Sequence, residues 1–115
     1  MANLNDAKAK VAYITLRDGV KRELRFTLNA MAEMEDRYGS VDAAFTALEN
    51  NSIKAVRFIL WAGLLHDEEQ PLTEQQVGNL IDTMNMADVI NSINEAMTND
   101  MPPKEDGGAE ALPNA

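Results

Sequence analysis

Ile53-Lys54-Ala55-Val56-Arg57-Phe58-Ile59-Leu60-Trp61-Ala62-Gly63-Leu64-Leu65-His66, entered through Asn50-Asn51-Ser52, is the stretch on which the fold turns. Ser52 has the chemistry of an N-cap, and the run predicts a helix over residues 53–66. Val56, Phe58, Ile59, Leu60, Trp61, Leu64 and Leu65 make that helix apolar on nearly all sides. A helix of this kind is contacted from several directions, so it belongs at the centre of a domain with other elements wrapped around it. Its unbroken apolar run, Phe58 to Leu65, is far short of the ~20 residues a membrane helix requires.

Towards the N-terminus, Ser40 is placed to cap a helix over residues 41–49 that buries Val41, Ala44, Phe45 and Leu48. Before it, Leu28, Met31, Ala32, Glu35 and Tyr38 keep a three-four spacing that Gly39 stops. Earlier still the period becomes two: Lys10 to Leu16 and Val20 to Phe26 flank Asp18-Gly19 and predict a β-hairpin. A two-residue turn would put Leu24 and Phe26 beside Val11 and Tyr13, leaving Ile14 and Leu16 among charges. A three-residue loop, Arg17-Asp18-Gly19, with Gly19 left-handed as a bulge, gathers Ala12, Ile14, Leu16, Val20, Leu24 and Phe26 on one face. A one-residue slip reverses every side chain, and the three-residue loop gives the cleaner apolar face.

Towards the C-terminus, Asp67-Glu68-Glu69-Gln70-Pro71 reads as a loop, and Thr73-Glu74-Gln75-Gln76 matches a capping box with Leu72 and Val77 as a hydrophobic staple. Val77, Leu80, Ile81 and Met84 would form that helix's stripe. A last helix near residues 86–98 would use Met86, Val89, Ile90, Ile93 and Met97. Residues 101–115 hold three of the four prolines and few core formers, and are expected to be a disordered tail. The expected fold is therefore α+β and mostly α: a flexible N-terminus over 1–9, a single domain over 10–100 built from a β-hairpin and a bundle of about five short helices, then the tail.

The chain has 115 residues and carries 10 Lys/Arg against 19 Asp/Glu, a formal net charge of -9. Residues 1–25 hold six Lys/Arg and three Asp/Glu, whereas residues 58–115 hold one Lys/Arg and eleven Asp/Glu. Binding a nucleic-acid polyanion needs a basic footprint, and the balance argues against it. Lys21, Arg22 and Arg25 make a small basic cluster, but only Tyr13 stands near it as an aromatic for base stacking. With no cysteine, thiolate metal sites and cysteine nucleophiles are excluded, and one histidine excludes any site needing two imidazoles.

His66-Asp67-Glu68-Glu69 has metal-ligating side chains, yet neighbours in a loop seldom converge on one ion. A helix-terminal His followed by solvated acids is the simpler reading. Ser40 and Ser52 are better explained as caps than as nucleophiles, and the isolated Gly63 and Gly78 make no phosphate loop. No catalytic residue, metal site or cofactor is expected, and the chain does not read as an enzyme. Met31, Met34, Met84, Met86 and Met97 are expected on helices, either as flexible core filler or as an adaptable contact surface.

In combination these features resemble a known family. A hairpin runs into Leu24-Arg25-Phe26-Thr27-Leu28-Asn29-Ala30-Met31-Ala32-Glu33-Met34-Glu35, closed by Tyr38-Gly39. Ile59-Leu60-Trp61-Ala62-Gly63-Leu64 and then Leu72-Thr73-Glu74-Gln75-Gln76-Val77-Gly78 follow. Over residues 10–98 the order resembles the small tail assembly chaperones of long-tailed bacteriophages and gene transfer agents. The resemblance implies a protein in the bacterial host cytoplasm, absent from the mature virion, that binds the tape measure protein and recruits tail tube subunits, with neither membrane nor nucleic acid as partner. The apolar residues expected to meet the partner are Trp61, Leu64, Leu65, Val77, Ile81, Met84, Val89, Ile93 and Met97. A frameshifted longer form is also common in such phages, and Pro102-Pro103-Lys104 permits a slippery heptamer if the Pro102 codon ends in C and Pro103 is CCA, but two prolines that end a helix are the simpler reading. The other roles open to these residues are a small virion structural or tail-completion protein and a protein-binding module outside phages.

Overall fold

A computed structural model describes residues 11–100. The elements run β1 (Ala12–Thr15), β2 (Lys21–Leu24), α1 (Leu28–Tyr38), α2 (Val41–Glu49), α3 (Ile53–Gly63), α4 (Glu74–Gly78) and α5 (Met86–Asp100). The architecture is α+β and mostly α, a two-stranded hairpin followed by five helices around one core. The expected flexible segment over 1–9 and the tail over 101–115, with its Pro102-Pro103 pair, lie outside the described residues.

The hairpin takes the three-residue register. Ala12 pairs with Leu24, Tyr13 with Glu23, Ile14 with Arg22 and Thr15 with Lys21. Gly19 sits at φ 77 and donates its N–H to the Leu16 carbonyl at 2.9 Å, the left-handed bulge position that favours glycine. Ala12, Ile14, Leu16, Leu24 and Phe26 are buried as that register requires, but Val20 at the loop end is exposed. The same register puts Arg22 on the inner face opposite Ile14, where only 9% of its side chain is exposed. Its guanidinium folds back onto the loop, with Nη1 donating to Asp18 Oδ1 at 3.0 Å and Nη2 to Asp18 Oδ2 at 2.7 Å. Asp18 Oδ1 also accepts the Val20 N–H at 3.1 Å. An arginine whose side chain is this covered needs such a two-point acceptor, and the tip of the hairpin supplies it.

Four helices begin with a hydroxyl that accepts the N–H three residues on: Thr27 from Ala30, Ser40 from Ala43, Ser52 from Ala55 and Thr73 from Gln76. At Thr73 the capping box closes reciprocally, because Gln76 Oε1 accepts the Thr73 N–H at 2.8 Å. α1 ends at Gly39, φ 91, as expected, but it is rotated from the predicted stripe. Ala30 and Met34 are its buried residues, Tyr38 is half-buried, and Leu28 is 81% exposed.

α3 is the axis of the molecule. Ala55, Val56, Phe58, Ile59, Leu60, Ala62 and Gly63 are all buried, and α1, α2, α4 and α5 pack around it. Fully burying Phe58, Ile59 or Leu60 stabilises by roughly 1.5–3 kcal/mol each. The helix stops at Gly63 rather than reaching His66. Arg25 N–H takes the Gly63 carbonyl at 2.9 Å, and the next amides make tighter three-residue bonds, Leu64 to Trp61 and Leu65 to Ala62. Gly63 is also where the hairpin comes closest: a Cβ there would lie 2.9 Å from Leu24 Cδ1 and 3.2 Å from a Phe26 ring carbon.

α4 is shorter than the predicted stripe. It ends at Gly78, so Leu80 and Ile81 are half-buried turn residues, and Met84, expected on a helix, is 82% exposed in the loop before α5. Asp82 and Asn85 explain the break. Asp82 Oδ1 accepts the N–H of Met84 and Asn85, while Asn85 Oδ1 accepts the N–H of Asp82. Short polar side chains bonded to nearby amides compete directly with helix continuation.

Two tests follow from these contacts. Gly63→Ala should cost about 1–3 kcal/mol in denaturant unfolding, since its methyl meets two buried side chains that cannot move aside. The Arg22 fork, helped by the Val20 amide, lowers the Asp18 pKa to about 2. Because the folded value lies below the unfolded one, this contribution is full above about pH 4 and is lost as pH falls towards about 2. Asp18→Asn should therefore lower the unfolding midpoint at neutral pH and flatten its drop across that interval, because the contribution lost on acidification is already absent.

Candidate partner-binding groove

The first turns of α3 place Ile53, Val56 and Arg57 on one face by three-four spacing. Opposite them come Gln75 and Gly78 of α4, then Asn79, Ile81, Asp82 and Thr83 of the following loop, and Met86 at the start of α5. Together they enclose an open groove of about 400 Å³. Val56 forms a buried floor, Ile81 and Met86 are half-buried walls, and Ile53 stands at the rim with 73% of its surface exposed. Gly78 matters by its size: a Cβ there would lie 2.9 Å from Arg57 Cδ, so the missing side chain lets the arginine stem lie across α4.

The charges around this groove are unequally matched. Arg37 Nη1 and Nη2 donate to the two oxygens of Glu74 at 3.2 and 3.0 Å, and its guanidinium lies 4.1 Å from the Phe58 ring centre. That fork holds the Glu74 carboxyl below its usual range and raises Arg37 in turn. Arg57 reaches the same carboxylate only as a looser pair, Nε to Oε2 at 3.7 Å, and Nε has no hydrogen-bond partner among the described residues. Asp82 is paired with Arg17 at 3.2 Å, and Arg17 N–H also meets the Leu80 carbonyl at 3.3 Å, tying the loop to the hairpin.

Of the nine residues expected to contact a partner, Leu64, Val77, Val89 and Ile93 are buried in the core. Their stripes face α3 and the hairpin, so no partner reaches them without opening the fold. Trp61 is half-buried, donating Nε1–H to the Leu72 carbonyl at 3.0 Å and stacking at a tilt 5.6 Å from Phe58. Leu65 and Met97 are also half-buried. Ile81 alone of the nine lines the groove, and Met84 is exposed nearby in the same loop. Ile53, Arg57 and Met86 were not anticipated as contact residues; the signal available was the spacing of Ile53 and Arg57, an apolar residue and a cation four apart at a capped helix start. His66, read as a helix-terminal residue, has Nε2 2.8 Å from the Glu23 carbonyl, fastening the turn after α3 to β2.

Among the described residues no three His, Cys, Asp or Glu side chains cluster to hold a metal ion, and no helix is long and apolar enough to cross a membrane. What the arrangement offers is an apolar trough with a cation on one wall. Comparison of the chain with protein-family models, curated proteins and solved structures gives no match.

Gly78→Ala makes the counterpart of the Gly63 test. Its methyl would meet only the flexible stem of Arg57, and alanine favours helix by about 1 kcal/mol over glycine. Its unfolding free energy should stay within about 1 kcal/mol of wild type.

Proposed function

We propose that the protein is a tail assembly chaperone of the long-tailed phage type, which binds the tape measure protein in the host cytoplasm and recruits tail tube subunits to it. The observation that carries the reading is the order of elements and motifs: a hairpin into Leu24 to Glu35, the Ile59 to Leu64 segment, then the capped Leu72 to Gly78. The groove is compatible with this role, because a chaperone without chemistry of its own works by covering apolar surface on a client. The acidic balance of the chain suits that work by keeping a loaded complex soluble.

Co-expression with the tape measure protein encoded beside it should raise that protein's soluble yield several-fold, and the two should co-purify. Purified phage particles should lack the chaperone. No gain in solubility together with no co-purification overturns the proposal, and stoichiometric presence in finished particles replaces it with a structural role.

A further inference from the structure

The geometry points to the groove between α3 and the α4–α5 loop as the docking site for an amphipathic helical segment that carries a carboxylate beside its apolar stripe. This deepens the proposed chaperone function and rests on it for the identity of the partner. The helical form follows from the walls. They are helix and turn, whose backbone groups bond internally, so the groove presents no free strand edge. A segment lying in an apolar trough must then satisfy its own N–H and C=O groups, and a helix does so while offering side chains at three-four spacing. Ile53 at the rim and the half-buried Ile81 and Met86 supply the apolar contact, with the flexible thioether able to fit side chains of differing shape.

The carboxylate follows from the charges. Glu74 is engaged by the two-point Arg37 fork and Asp82 by Arg17, which leaves Arg57 as the cation with the weakest partner at the site. Its Nε has no hydrogen-bond acceptor among the described residues, and 43% of its side chain is exposed, so the outer face of the guanidinium is open to a partner acid in a charge-assisted bond. With Asp82 already paired to Arg17, the loosely paired Arg57 disfavours a basic side chain laid beside it in the trough.

The test titrates the isotope-labelled protein with overlapping synthetic peptides that tile the adjacent tape measure protein, reading backbone amide shifts. The binding peptide should pair an acidic residue with an apolar stripe and shift Ile53, Arg57, Ile81 and Met86. Ile53→Asp and Arg57→Gln should each weaken it about tenfold or more. Both variants should fold, since an acid is favoured in a first turn and Gln is a good helix former. Raising salt from about 0.05 M to about 0.5 M should weaken wild type more than Arg57→Gln. Tyr13→Ser, on the outer hairpin face, should leave binding unchanged. Shifts confined to another surface, or unaltered binding by both groove variants, overturn the groove. If those variants still solubilise the intact tape measure protein, the chaperone function stands without it. If wild type neither solubilises the tape measure protein nor binds any peptide, both fall.

Discussion

Every other element is arranged by the need to cover the broad apolar surface of α3. Its buried residues cover more than half of the helix's circumference, leaving only the Ile53, Lys54, Arg57 and Trp61 side partly open, so no single neighbouring layer could remove them from water. α1 and α2 close one side, α4 and α5 another, and the hairpin is held against its C-terminal end by the Arg25 amide and the Leu24 and Phe26 side chains. Gly63 is the point of closest approach, where the side chain is absent and the carbonyl is given to β2's extension. An isolated two-stranded ribbon is marginal in water, so the hairpin depends on this approach together with α5 packed on its strands, the Arg17 contacts to Leu80 and Asp82, and the His66 bond to Glu23.

Much of this was legible because the boundaries are set by local chemistry. Thr27, Ser40, Ser52 and Thr73 each cap a helix through their own hydroxyl, and Gly39 and Gly19 take left-handed conformations at the positions where a helix and a hairpin loop need them. Such bonds span three residues or fewer, so a short window of sequence contains both partners. The hairpin register was legible for a different reason. Only one alignment gathers Ala12, Ile14, Leu16, Leu24 and Phe26 together, and packing against a core enforces it.

What escaped the sequence depends on partners far along the chain or on competition between local bonds. The spacing of α1 pointed to Leu28, Met31, Ala32, Glu35 and Tyr38, yet Ala30 and Met34 are the residues buried where the helix packs against α3. Arg22 was grouped with Lys21 and Arg25 as a basic cluster, and nothing in its spacing shows that Asp18 would bend back to receive it. The periodic run from Val77 to Met84 was real as a pattern, yet the Asp82 and Asn85 side chains captured the amides a longer helix would have used. The candidate site was the least legible part, since it forms where α3, the shortened α4 and α5 meet, and its shape depends on that early stop.

The same stop decides which apolar residues are available to a partner. Had α4 continued through Met84, Ile81 and Met84 would have shared one helical face with Val77, which is fully buried against α3. Ending the helix at Gly78 separates them: Val77 stays in the core, Ile81 turns to line the trough, and Met84 is released to solvent. Core and contact surface draw on the same apolar side chains, so a small domain serving both needs must divide them. Periodicity marks a residue as apolar-facing but not which apolar environment it faces, and here that choice is made by two short polar side chains and a glycine. The trough also acquires its cation this way, because the backbone at Gly78 is bare enough for Arg57 to cross it.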